Sequence, residues 1–103
     1  MTENNKDVIL EMIDIFIDQV ESFRIEMYEL YAAGNYKALG QLAHKAKSSV
    51  SIMGMSALSQ KLKELEIKTS ENADPEEFIS YINYFTEESE EAVIELKEYK
   101  KRQ

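Results

Sequence analysis

The chain has 103 residues, of which 44% are hydrophobic and 31% charged, and its net charge is −8 at pH 7. That apolar content supports one domain burying roughly 65% of its unfolded surface without staples, while a pI near 4.7 opposes binding to phosphate backbones and so excludes nucleic acid. There is no Cys and only one His, which removes disulfides, thiolate chemistry and every site built on two imidazoles.

No apolar stretch approaches the ~20 residues that cross a bilayer, and Met1–Lys6 has no apolar run of the kind that marks a secretion signal. The expectation is a small acidic intracellular, cytoplasmic domain covering residues 1–103, with no membrane contact.

In chain order, Ile9, Met12, Ile13, Phe16, Val20, Phe23, Met27 and Leu30 recur at three- and four-residue steps, which predicts an amphipathic helix over residues 7–33. Val8, Ile15 and Ile17 fall off this stripe, so the first turns are expected either to form a short extra N-terminal helix or to cover a bundle end. Gly34 supplies the left-handed stop. Asn35 is the predicted N-cap of a second helix carrying Tyr36, Leu39, Leu42, Ala43, Ala46, Val50 and Met53, which Gly54 ends.

Ser56 is the predicted cap of a third helix with Leu58, Leu62 and Leu65 inward, and residues 69–73 read as a loop. Asp74-Pro75-Glu76-Glu77 has the spacing of a capping box with Pro at the first helical position. The last helix carries Phe78, Ile82, Phe85, Ala92, Leu96 and Tyr99, with Ser89 interrupting the series. No segment alternates with period two. The predicted fold is all-α: an antiparallel up-down-up-down four-helix bundle.

His44 is the only side chain suited to proton transfer or nucleophilic work near neutral pH. The helix period puts it off the core stripe, in a row with Lys37, Gly40, Gln41, Lys47, Ser48 and Ser51. Gly inside a helix costs about 1 kcal/mol relative to Ala, so Gly40, one turn before His44, calls for a reason. On an exposed face that reason is clearance for a partner's surface. Lys47, three residues on, is placed to put an ammonium beside an anion on the ring. Other chemistries fail: a di-iron bundle needs two Glu-x-x-His units, and no glycine-rich phosphate loop exists to hold ATP. The acidic run Glu87–Glu91 reads as a solvated helix face.

The stretch Ala43-His44-Lys45-Ala46-Lys47-Ser48-Ser49-Val50-Ser51-Ile52-Met53-Gly54 resembles the signature of histidine-containing phosphotransfer (HPt) domains, the helical intermediates of two-component phosphorelays. His44, Lys47, the small pair Ser48-Ser49 and Gly54 carry the likeness, and Leu58, Leu62 and Leu65-Glu66 extend it downstream. Phe16 and residues 32–36 extend it upstream. One position departs from the pattern: Ser48 stands where the family usually has Gly.

The resemblance implies that a neutral imidazole nitrogen of His44 accepts a phosphoryl group from a receiver-domain aspartate or a histidine kinase and passes it to another receiver. An unperturbed imidazole is mostly neutral at pH 7, so no activating base is required. Lys47 is expected to offset charge on the transferring oxygens. Gly40, Gln41, Lys45, Ser48 and Ser51 are expected to form the docking surface. Response-regulator receivers and a hybrid histidine kinase are the implied partners. The implied chain is a carrier rather than an ATP-using enzyme, with no cofactor or metal of its own and Mg²⁺ on the receiver. With four helices and none to spare, it is expected to be a monomer. The alternative is a four-helix adaptor that binds partners without chemistry.

Overall fold

The computed structural model describes residues 5–103, in four helices: α1 (Asn5–Ala32), α2 (Tyr36–Ile52), α3 (Ser56–Ser70) and α4 (Pro75–Lys101). Each helix packs on its two neighbours in an antiparallel ring, and α2 with α3 is the closest pair. The core is built from the predicted stripes. Phe16, Val20, Phe23 and Met27 of α1 meet Leu39, Ala43, Ala46 and Val50 of α2, Leu58, Leu62 and Leu65 of α3, and Phe78, Ile82 and Phe85 of α4. Among the described residues there is no strand.

Three helix ends share one solution. Gly34 (φ +73°), Gly54 (φ +77°) and Asn72 (φ +58°) each take the left-handed conformation just past a helix. In each case the next residue's N–H returns to a carbonyl five residues back: Asn35 to Leu30 at 3.0 Å, Met55 to Val50 at 3.0 Å and Ala73 to Lys68 at 3.1 Å. Such closures satisfy carbonyls that a helix end otherwise leaves bare. Asn35 also caps α2 as predicted, its Oδ1 accepting the Ala38 N–H at 3.3 Å.

Several expectations need correction. α1 runs unbroken from Asn5, so no separate N-terminal helix forms among the described residues; the off-stripe Val8 and Ile15 are exposed. Ile9, Met12 and Tyr99, expected inside, are exposed as well, because α1 and α4 outreach the other two helices. Ser56 is the first residue of α3, and the capping position belongs to Met55, which makes no side-chain cap. At the start of α4, Asp74 caps the Glu76 N–H at 3.0 Å with Pro75 following. The Glu77 carboxylate, however, accepts from Lys68 Nζ at 2.9 Å across to α3, in place of a capping box. Ser89 is fully buried, and its hydroxyl is satisfied by donating to the Thr86 carbonyl at 3.1 Å.

Candidate functional site

His44 sits midway along α2, on the edge that faces α3, with 62% of its side chain exposed. Because α2 and α3 run antiparallel, residues stepping up one helix meet residues stepping down the other. Gly40 meets Thr69, His44 and Lys47 meet Glu66, and Ser51 meets Ser59. The register is set at Gly40. This residue is buried rather than on the open face, and a Cβ built on it would overlap Thr69 Oγ1 and stand 3.2 Å from Thr69 Cβ. Gly40 therefore serves the close approach of α2 to α3. The clearance for a partner that its position suggested is not what its missing side chain provides.

One turn on, that close approach brings Glu66 within reach of the His44 ring. Glu66 Oε2 lies 2.9 Å from His44 Nδ1, and its other oxygen, Oε1, accepts from Lys47 Nζ at 3.2 Å. Partial burial works to raise the Glu66 pKa, but the hydrogen bonds and charges of His44 and Lys47 outweigh it and hold the carboxyl below its ordinary value. Glu66 is thus ionised at neutral pH and can only accept. Nδ1 must then carry the hydrogen between them, which leaves Nε2 of the neutral ring with its lone pair. This carboxylate also occupies the ammonium of Lys47, which is only 25% exposed on its side chain.

The other predicted site residues divide by position. Gln41, Lys45 and Ser48 are exposed on the outer face of α2. Gln41 lines an open groove of about 650 Å³ that runs from His44 and Glu66 past Thr69 to Tyr36 and Asn72. Ser51 is exposed but tied to α3, its Oγ 2.8 Å from Ser59 Oγ. Lys45 lies further round, next to Ser49, whose hydroxyl reaches Gln19 of α1 at 3.0 Å. His44, Lys47 and Gln41 are therefore brought together at the α2–α3 seam, with Ser48 beside them and Lys45 apart.

Sequence reasoning assigned no role to Glu66, Thr69 or Ile52. Glu66 and Thr69 stand four residues after Leu62 and Leu65, bordering the apolar stripe of α3, which is the signal that places both against a neighbouring helix. Ile52, two turns after His44 on the outer face of α2, is 71% exposed and gives that face an apolar element.

No curated protein and no solved structure matches the chain significantly. The Hpt domain family does match, over residues 11–99, a span that holds α2 and α3 whole and most of α1 and α4, with the His44–Glu66–Lys47 cluster and the seam that builds it. The chain belongs to the Hpt family, the helical-bundle carriers of histidine phosphotransfer in phosphorelays.

Proposed function

We propose that His44 is the phosphoacceptor, that the nucleophile is Nε2, and that Glu66 holds the ring for the transfer. The observation that carries this reading is the 2.9 Å contact between His44 Nδ1 and an ionised carboxylate on an otherwise exposed ring. In the forward step the Nε2 lone pair attacks the phosphorus of a receiver's aspartyl phosphate. The N–P bond forms, the P–O bond to the aspartate breaks, and the aspartate leaves as a carboxylate. The Nδ1 hydrogen stays on the ring, which gains positive charge opposite the Glu66 anion. That electrostatic support grows as the bond forms, and so favours the transition state over the free ring.

Return of the phosphoryl group to a second receiver reverses the same motions. Lys47, released from one Glu66 oxygen, offsets charge on the transferring oxygens; the receiver supplies the acidic pocket and Mg²⁺, and this chain needs no cofactor of its own. The partners in this reading are response-regulator receivers and a hybrid histidine kinase, docking over Gln41, Lys45, Ser48 and the α2 face that continues to Ile52.

The test is transfer of labelled phosphate from a phosphorylated receiver domain. The wild-type chain should take up label in an acid-labile, base-stable form, as a P–N bond requires. His44→Gln should take up none while its circular dichroism stays helical. The chain has no second His, so normal labelling of that variant would overturn the assignment. Receiver binding without any transfer to the wild type would instead favour the adaptor reading.

A further inference from the structure

The long helices outreach the short ones: α1 and α4 have 28 and 27 residues, α2 and α3 only 17 and 15. At 1.5 Å per residue the difference is roughly 15 Å, so the first turns of α1 and the last of α4 form a two-helix extension. Their core-facing stripes do not stop where the cover stops. Ile9, Met12 and Ile13 of α1 and Leu96 and Tyr99 of α4, with Met53 at the α2–α3 corner, line one shallow groove of about 220 Å³. Ile9 and Met12 lie on the stripe that is buried further along α1, yet are 42% and 41% exposed. The extension is half of a four-helix bundle.

We propose that the missing half is the same extension of a second copy of this chain. A two-fold axis along the bundle would drive the α1 and α4 layer of each copy into the α2 and α3 layer of the other. The axis must therefore be perpendicular to it, giving an end-to-end dimer in which α1 pairs with α1 and α4 with α4, both antiparallel.

The charges fit that arrangement. Residues 5–15 and 95–103 together carry equal numbers of basic and acidic side chains, in a chain of net charge −8. The copies thus meet at their neutral ends and keep their acidic bodies apart. On α4, Glu88, Glu91, Glu95 and Arg102 share one flank by helical spacing. That flank opens on the uncovered face, where the three glutamates border a second groove beside Met53 and Met55. Antiparallel pairing of α4 with its copy sets each Arg102 against the other chain's acidic flank. The groove beside His44 opens toward Tyr36 and Asn72, at the opposite end of the bundle, so the dimer leaves both acceptors accessible to their receivers.

Sedimentation equilibrium on the full chain, from micromolar to near-millimolar concentration, tests this. The mass should rise from 11.9 kDa toward twice that value. Met12→Glu should abolish the rise without altering circular dichroism. Arg102→Glu should weaken association up to about thirtyfold, because the two-fold axis repeats the exposed ion pair twice in the dimer, and adding Glu95→Arg to that variant should restore it. A mass of 11.9 kDa throughout overturns the proposal. So does a dimer that Met12→Glu and Arg102→Glu leave as tight as the wild type.

Discussion

Gly40→Ala isolates the seam that builds the site. A Cβ at position 40 overlaps Thr69 Oγ1 and comes within 3.2 Å of Thr69 Cβ, and Thr69 is itself buried. Two responses are open. Either α2 and α3 separate locally, which carries the usual cost of overpacking, or Thr69 rotates and gives up the 2.8 Å hydrogen bond from its hydroxyl to the Glu66 carbonyl. Each costs about 1–3 kcal/mol. Ala is the better helix former by about 1 kcal/mol, which offsets part of it, so the net loss should be up to about 2 kcal/mol.

Thermal unfolding followed by circular dichroism reads this as a fall in Tm of about 4–8 °C per kcal/mol for a domain of this size. Gly40→Ala combined with Thr69→Ala should recover most of the loss, because the overlapping oxygen is gone and only a slight relaxation between the two Cβ atoms remains. Phosphotransfer should slow in the single variant, since Glu66 sits one turn from Thr69 and moves with it. A Gly40→Ala protein that melts at or above the wild-type temperature would refute the reasoning: helix propensity would then outweigh the contact, and the seam would not depend on glycine.

Glu66→Ala should free the His44 ring to sample both neutral tautomers, which ¹⁵N NMR of the imidazole detects, whereas Glu66→Gln should keep the Nδ1–H form because its amide oxygen still accepts; identical spectra for wild type and Glu66→Ala would remove Glu66 from the mechanism. The depressed Glu66 pKa means that its contribution to stability is full above the unfolded-state value and is lost as pH falls through the folded-state value. Lys47→Ala should therefore move the Glu66 carboxyl titration, followed by ¹³C NMR, upward. Gly54→Ala should cost about 1–2 kcal/mol in a urea titration through its φ of +77° alone, since nothing lies within 4 Å of the added Cβ and no neighbour can be trimmed to rescue it. Ser89→Ala should change stability by less than about 1 kcal/mol by the same titration, because the lost hydroxyl serves only a carbonyl within its own helix.

Helical periodicity and end signals were legible in the sequence because they are local. The stripes that became the core, the left-handed stops at Gly34 and Gly54, and the Asn35 and Asp74 caps each depend on residues within one or two turns. The same local spacing placed His44 on a polar face with Lys47 one turn away. Tertiary structure decided what no period records, namely where one helix ends relative to another and which residues meet across a seam. Helix length left Ile9, Met12 and Tyr99 uncovered, although their pattern is that of core residues. Position 40 lies on the side of α2 toward α3, so a glycine read as surface clearance is a buried contact with Thr69. Glu66 is 22 residues from His44 along the chain, and only the antiparallel register of α2 and α3 puts its carboxylate on Nδ1. His44, the proposed nucleophile, was visible from the sequence; its carboxylate partner was not, because that pairing exists only between folded helices.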